Sequence, residues 1–233
     1  MIGRKTFPRG GVHPYERKAL SEHKRIWNAA VPSECIVPLQ QHIGKPAEAQ
    51  VGPGDEVREG RLIGKAPGFV SANVHSPIPG VVRELREVYL PNGLATTAVV
   101  IDLHGEFDRL GKQQMAAEWR DRDVKSLLAA IRKNGVVGMG GATFPTHVKY
   151  TLPQGKTCDW MILNGVECEP YLTADHRLML EMTDQVIEGL EIAARILDVE
   201  HVAIGIEENK PDVIEKMRSR VKERSLDFRV VSL

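Results

Sequence analysis

A glycine-rich stretch at residues 135–150, GVVGMGGATFPTHVKY, carries the residue types best suited to binding an anion. Its glycines are Gly135, Gly138, Gly140 and Gly141. Glycine lets a backbone adopt positive φ and approach a ligand closely, with N–H groups free to point at it. Pro145 suits the first turn of a helix whose N-terminus would face the same ligand, and Lys149 follows one turn later. The stretch predicts a loop that binds a phosphate or a cofactor, and a glycine-rich connection without a ligand is the alternative.

A second polar stretch, NGVECEP at residues 164–170, follows an apolar run of strand length. Open α/β sheets bind ligands at the carboxyl ends of their strands. Glu167 and Glu169 alternate, so an extended chain would place both on one face. The two acids could form a general acid/base pair, hold a divalent cation, or accept hydrogen bonds from ribose hydroxyls and a carboxamide. A solvated acidic turn before Pro170 is the alternative.

The first half of the chain reads as short β segments broken by Gly, Pro and Asn, which predicts a small β barrel or sandwich. The segments are 36–39, 47–50, 62–64, 70–74, 80–85 and 97–103. Residues 51–64 and 75–82 resemble the two halves of a biotinyl/lipoyl-type barrel-sandwich hybrid. Carrier domains of that type present a modified lysine on the turn between the halves, whereas the corresponding turn here, near Pro67-Gly68-Phe69, has none. We therefore expect a structural module and not a swinging arm.

From Asp123 onward, helical and strand patterns alternate. Asp123 is a plausible N-cap for a helix that Asn134-Gly135 ends. Further helices are predicted from Thr173 through Leu197 and over 209–224, and strands over 159–164, 201–206 and 227–233. Strands separated by helices of this length predict βαβ crossovers and a largely parallel sheet. The chain stops on a predicted strand, so we expect a truncated domain.

The predicted fold class is β followed by α/β, with the barrel-sandwich hybrid preceding the parallel-sheet domain. The predicted domains are an N-terminal segment 1–35, the β domain 36–104, a linker 105–122 and the α/β domain 123–233.

Composition narrows the class of partner. Lys plus Arg and Asp plus Glu number 31 each, which argues against nucleic acid and favours a small-molecule or protein partner. The sequence has neither a signal peptide nor a long apolar window, so we expect a cytoplasmic location with any membrane attachment made through a partner. The spacing of the three cysteines fits neither a disulfide framework, a zinc site nor an iron–sulfur cluster, and the scattered histidines predict no metal site.

Two sets of residues together resemble known redox proteins. GMGGATFPTHVK at 138–149 and NGVECEP at 164–170 resemble the paired FMN and NADH loops of the flavin subunit of respiratory complex I. FPRGGVHP at 7–14, EHK at 22–24 and VPLQQHIG at 37–44 look like the C subunit of the Rnf electron-transport complex, and the likeness runs over essentially the whole chain.

This resemblance implies an NADH-facing, FMN-binding oxidoreductase subunit of an ion-translocating ferredoxin:NAD oxidoreductase. Other subunits would hold it on the cytoplasmic face of the membrane, and ferredoxin would be an indirect partner. Hydride would pass between NAD(H) and FMN, then electrons onward to [4Fe-4S] clusters. The parallel-sheet domain would be a Rossmann-like FMN/NADH-binding domain.

The resemblance also assigns roles to single residues. The family's glycine loop falls on Gly138, Gly140 and Gly141, its flavin-side lysine on Lys149 and its flavin-contacting asparagine on Asn164. Its acidic NADH contacts fall on Glu167 and Glu169, and its ring-stacking aromatic on Phe144.

Two departures from the family pattern bear on activity. Complex I flavin subunits usually have arginine at the position of Met139, so one cationic contact is absent here. The Rnf family normally continues with a loop that closes over the flavin, a β-grasp-like module and a domain with two four-iron clusters. We therefore expect this fragment alone to be inactive, and its clusters to lie in the missing part. A flavin and iron–sulfur reductase of a soluble pathway, such as a cobalamin reductase or a proline-reductase partner, and a non-catalytic assembly module are the alternatives.

Overall fold

The computed structural model describes Val12 and residues 14–110, 118–139 and 141–233. It divides into two compact units. The barrel unit comprises Ala29–Thr157 and Arg195–Asp198, and the sheet unit comprises Met1–Asn28, Cys158–Ala194 and Val199–Leu233. We describe each unit by itself.

The barrel unit contains two antiparallel sheets around one apolar core. Its strands are β1 (Glu34–Pro38), β2 (Glu48–Ala49), β3 (Glu56–Val57), β4 (Leu62–Lys65), β5 (Val74–His75), β6 (Gly80–Tyr89) and β7 (Ala95–Leu103). One sheet has the order β1-β7-β6-β3 and the other β2-β4-β5. Strand β7 lies between β1 and β6, and its residues 98–101 are fully buried.

The predicted β segments correspond to strands of this unit, with two differences. Strand β3 was not predicted, and residues 70–73 form no strand. The Ser71 hydroxyl donates to the Lys45 carbonyl at 2.7 Å, and the Ala72 N–H donates to the His42 ring at 3.0 Å. The polar groups of this segment are therefore satisfied without a strand partner.

Two helices complete the barrel unit. Helix α1 (Val124–Lys133) begins at the predicted N-cap, where the Asp123 carboxylate accepts from the Ser126 N–H at 2.8 Å. Gly135, at φ 65°, follows its end. Helix α2 (Thr146–Lys149) is a single turn, shorter than the predicted helix, and Pro145 is its N-cap and not part of its first turn.

The sheet unit is a parallel three-stranded sheet with helices between its strands. Its elements are a 3₁₀ turn (Lys18–Leu20), β8 (Trp160–Gly165), α3 (Ala174–Glu181), α4 (Thr183–Leu197), β9 (His201–Ile206), α5 (Pro211–Glu223) and β10 (Phe228–Ser232). The strand order is β10-β9-β8, and both pairings are parallel, which confirms the predicted parallel sheet. Apolar residues from β9, α4 and α5 form its core around Ile204, Ile187 and Met217.

The helix predicted from Thr173 through Leu197 is divided at Met182. The Thr183 hydroxyl donates to the Met179 carbonyl at 2.7 Å, four residues earlier. Such a bond between a threonine side chain and the preceding turn often bends a helix, and here one helix ends and the next begins.

Candidate functional site

The glycine loop, residues 138–144 of the barrel unit, is closed at its base by the chain on both sides. Val137 and Pro145 form an isolated antiparallel bridge. The Gly138 N–H donates to the Phe144 carbonyl at 3.0 Å, and the Thr146 N–H donates to the Val136 carbonyl at 3.0 Å. These bonds hold the two ends of the glycine loop together.

The interior of the glycine loop uses unusual backbone conformations. Gly141 has φ 60°, and a Cβ built there would meet no atom within 4 Å. Thr143 has φ 47°, which is uncommon for a residue other than glycine. Gly140 lies outside the described residues. Open space and positive φ at Gly141 fit a loop whose backbone meets a ligand.

Lys149 lies beside this loop. A Cβ built on Gly138 would lie 3.6 Å from the Lys149 Nζ and 3.6 Å from the Phe144 backbone nitrogen. Lys149 is exposed, and no carboxylate of the described chain forms an ion pair with it. The structure therefore brings together Gly138, Phe144 and Lys149, and it leaves a cation at the loop without a described partner.

Met139 and Phe144 supply the apolar part of the loop. Met139 is 96% exposed, and Phe144 is half-buried. Together with Lys149, the loop offers backbone N–H groups, one cation and one partly accessible aromatic ring. This donor set fits an anionic group attached to a planar ring system.

Gly135 has a different role from the other glycines of the stretch. It combines φ 65° with a position at which a Cβ would overlap the carbonyl oxygen of Asn73. The residue is therefore required where the end of α1 meets the barrel, outside the loop itself.

The acidic stretch of the sheet unit begins at the carboxyl end of β8, as the sequence predicts. The Asn164 side-chain oxygen accepts from the Val166 N–H at 3.1 Å and starts a turn. Asn164 is exposed, and so is Glu169. Both are accessible at the sheet edge where α/β proteins bind ligands.

Glu167 is buried, with 1% of its surface exposed. Its carboxylate accepts from the N–H groups of Asp175 at 2.7 Å and His176 at 3.2 Å, in the first turn of α3. The prediction that Glu167 and Glu169 share one face is wrong, because the chain leaves the strand at Gly165 and turns Glu167 inward.

Two buried lysines complete this arrangement, and neither stood out in the sequence. Lys210 forms an ion pair with Glu207, and its Nζ lies 4.0 Å from the Glu167 carboxylate. Lys18 donates to the carbonyls of Glu167 at 2.5 Å, Leu172 at 2.9 Å and Glu169 at 3.3 Å. Two buried lysines therefore contact the acidic loop, which we define as residues 164–170.

The surroundings shift the pKa values of two nearby carboxylates, Asp175 and Asp212, in opposite directions. Burial raises the pKa of Asp175, the Glu167 charge adds to the increase, and Lys210 opposes it. Burial would raise the pKa of Asp212 as well, but hydrogen bonds from His176 and from the Val213 N–H bring it below its ordinary value. The His176 ring nitrogen lies 3.1 Å from the Asp212 carboxylate, so the two side chains are paired.

Two family models match the chain. Residues 5–106 match the RnfC barrel sandwich hybrid domain, and residues 131–233 match the Nuo51 FMN-binding domain. The C subunit of the proton-translocating ferredoxin:NAD(+) oxidoreductase complex of Clostridium ljungdahlii is 45% identical over 210 residues, which are 90% of this chain and 46% of that protein.

The C subunit of the Na(+)-translocating ferredoxin:NAD(+) oxidoreductase complex of Acetobacterium woodii is 39% identical over 90% of this chain and 47% of that protein. The C subunit of the ion-translocating oxidoreductase complex of Pectobacterium carotovorum is 37% identical over 95% of this chain and 30% of that protein. The chain belongs to the RnfC family. It spans less than half the length of these RnfC relatives.

Membership of the RnfC family confirms the resemblance identified in the sequence and, with the matched domain, the barrel-sandwich hybrid. Among solved structures, a chain of an NAD+-reducing [NiFe]-hydrogenase matches 47% of this chain and 20% of its own length, at 19% identity and a TM-score of 0.41. In the described ranges, with their gaps at 1–11, 13, 111–117 and 140, no helix is both long and apolar enough to span a membrane.

Proposed function

We propose that this chain is the FMN- and NADH-binding part of an RnfC-type subunit in an ion-translocating ferredoxin:NAD oxidoreductase complex. The observation that carries the proposal is the exposed Lys149 beside an open glycine loop, within a chain of the RnfC family. FMN supplies the redox chemistry when bound, exchanging a hydride with NAD(H) and passing single electrons on. The protein binds and orients the two reactants.

In this proposal the glycine loop takes the phosphate of FMN. The N–H groups around Gly141 and the described part of the loop donate to the phosphate oxygens, and Lys149 neutralises part of their charge. Gly140 belongs to the same loop, and Phe144 packs against the flavin ring. Open space at Gly141 supports this assignment, since a side chain there would occupy the volume of the ligand.

In this proposal the two glutamates of the acidic loop have different roles, although the resemblance implies that both contact NADH. Asn164 contacts the flavin, and Glu169 accepts hydrogen bonds from sugar hydroxyls of NADH. Glu167 acts on NADH through the loop, since both of its oxygens already accept from α3. We propose a Rossmann-like domain, and the three parallel strands in the order β10-β9-β8 support it, because a mononucleotide-binding half has the same order.

The proposal extends to the assembly. The chain works on the cytoplasmic face of the membrane, held there by other subunits of the complex. Electrons leave toward [4Fe-4S] clusters in the part of the longer relatives that this chain does not cover, and ferredoxin is reached through them. The chain alone is therefore inactive in ferredoxin:NAD exchange. We also propose the predicted bounds 1–35, 36–104, 105–122 and 123–233 for the family domains. They differ from the compact units, which place residues 123–157 with the barrel.

An FMN titration followed by quenching of flavin fluorescence tests the proposal directly. Lys149→Ala should weaken binding about tenfold or more, because a hydrogen bond to a charged group contributes roughly 1.5–3 kcal/mol. Lys156→Ala removes another exposed lysine of the barrel unit and should leave the Kd unchanged. Absence of FMN binding by the wild-type chain and by the chain extended to the length of its relatives would favour the assembly-module alternative.

A further inference from the structure

The turn between β4 and β5, residues 66–73, is the place where carrier domains of the biotinyl/lipoyl type present a modified lysine. We call it the barrel turn. Here it carries Phe69 at its tip and is bonded on both sides within the barrel unit. These bonds give it a structural role that the carrier comparison does not explain.

One side of the barrel turn is fixed to the barrel. The Lys45 N–H donates to the Val70 carbonyl at 3.1 Å, and the Ser71 hydroxyl donates back to the Lys45 carbonyl at 2.7 Å. The Ala72 N–H donates to the buried His42 ring at 3.0 Å. Ser71 and Ala72 are buried, so these contacts hold the turn against the β domain.

The other side contacts the chain segments that flank the glycine loop. Before the loop, the Asn73 side-chain amide donates to the Lys133 carbonyl at 3.0 Å, and Gly135 packs on the Asn73 carbonyl. After the loop, the buried His147 ring donates to the Phe69 carbonyl at 2.8 Å. The same ring meets the Phe69 ring edge to face, at 5.6 Å between centroids.

The segments on both sides of the glycine loop therefore contact the same turn. We propose that the barrel turn positions the glycine loop for its anionic ligand, with Asn73 and His147 as the positioning residues. This inference rests on the proposed function, because the ligand is the phosphate group of FMN. It assigns to the barrel domain a direct role at the flavin site.

The physical reason is preorganisation. Ordering a free backbone costs conformational entropy at every residue, and a loop ordered before binding avoids that cost at the moment of binding. The glycine loop is rich in the most flexible residue, and it holds Thr143 at positive φ. Support at both ends keeps it in one conformation, so loss of that support lowers affinity without removing any group that touches the ligand.

Asn73→Ala and His147→Ala test this inference, with Val82→Ala as a control that destabilises the buried barrel core away from the turn. For each variant, FMN affinity, thermal stability and amide exchange of residues 138–144 are measured on the chain. We expect the first two variants to weaken FMN binding about tenfold and to speed exchange in the loop. Val82→Ala should lower the melting temperature with little change in FMN affinity or in amide exchange of residues 138–144.

The outcomes separate the two proposals. If wild-type chain binds FMN and both turn variants bind it equally well, the inference is overturned and the proposed function stands. An equal loss of affinity in Val82→Ala would also overturn it, since stability alone would then explain the effect. If neither the wild-type chain nor the chain extended to the length of its relatives binds FMN, while the turn variants speed loop exchange, the proposed function fails and the support of the loop by the turn stands. His147→Gln, which keeps a donor, should recover part of the affinity.

Discussion

Two glutamates separated by one residue have opposite environments, and this contrast is the sharpest feature at the scale of single residues. Glu167 is buried, bonded to two N–H groups of α3 and close to Lys210, whereas Glu169 is exposed. A buried carboxylate whose partners remain after its removal leaves those partners unsatisfied. Glu167 and Glu169 carry the same charge and lie close in sequence, but we expect their replacement to have unequal effects on stability.

We expect Glu167→Gln to lower the free energy of unfolding by about 2–4 kcal/mol, since it leaves Lys210 and one N–H of α3 poorly compensated. Glu169→Gln is the matched control and should change it by less than about 0.5 kcal/mol. Urea denaturation measures both. The pKa of Asp175 should also fall in Glu167→Gln, because the Glu167 charge contributes to its increase, and carboxyl NMR titration would detect the change. Equal destabilisation by the two variants would contradict this account of Glu167.

The sequence could not reveal this difference. Alternation predicts which side chains share a face only while the chain remains a strand, and β8 ends at Gly165. The partners of Glu167 are also distant in sequence, since Lys210 and Lys18 come from other parts of the chain. In contrast, Lys149 lies close in sequence to the glycines that it approaches, and the local pattern was sufficient to group them.

Gly135 offers a second test among single residues. Gly135→Ala would combine positive φ with an overlap on the Asn73 carbonyl, and we expect a loss of about 3 kcal/mol or more. Gly155 also has positive φ, at 74°, but a Cβ there would meet no atom within 4 Å. Gly155→Ala should therefore cost about 1–2 kcal/mol, the conformational part alone. Thermal or urea unfolding compares the two, and similar losses would show that the contact with Asn73 is unimportant.

At the scale of elements, periodic patterns were reliable where the contacts are local. The alternation of helices and strands after Asp123 predicted α1, the three parallel strands and α5, because amphipathic spacing and capping residues are features of the segment itself. The pattern did not predict the division at Met182, where a threonine hydroxyl competes for a helix carbonyl. The strand predicted over 70–74 is wrong for residues 70–73. Their apolar and small side chains resemble a strand, but Ser71 and Ala72 bond to Lys45 and His42 instead.

Two histidines of the barrel unit, His42 and His75, make the stability of the β domain dependent on pH. Burial lowers the pKa of His42, which a bond with the Lys45 carbonyl opposes in part, and burial together with the Arg109 charge lowers the pKa of His75. The folded chain then binds fewer protons than the unfolded chain below the ordinary histidine pKa of 6.5. Stability is therefore complete above that pH and falls as the pH decreases through the window down to the lowered values.

We expect the melting temperature to rise between pH 5 and pH 7 and this rise to be smaller in His42→Gln, where one titrating group is absent. The remaining slope belongs in part to His75. His104→Gln, at an exposed position, serves as the control and should keep the wild-type slope. Identical slopes in wild type and His42→Gln would contradict the assignment of a lowered pKa to His42.

At the scale of the whole molecule, the resemblance to a known family predicted more about function than composition or periodicity did. Composition argued only against a nucleic-acid partner, whereas the two loops and the N-terminal motifs together identified the family that the two matched domains support. The packing of the chain into two compact units adds what similarity alone does not provide. It assigns the glycine loop to the unit that contains the barrel, which is why the barrel turn can support it.

Membership in the RnfC family leads to a prediction about assembly. Relatives of this chain are named as components of ion-translocating oxidoreductase complexes, so we expect the protein, at the length of its relatives, to sediment with membranes when the other subunits are co-expressed. Expressed without them, it should remain in the supernatant, because we propose that its attachment is made through those partners. Lys149→Ala provides the internal control, since loss of flavin binding should leave this partition unchanged. A supernatant location in both conditions, with NADH oxidation retained, would instead favour a reductase of a soluble pathway, because flavin chemistry would then proceed without the membrane partners that the family implies.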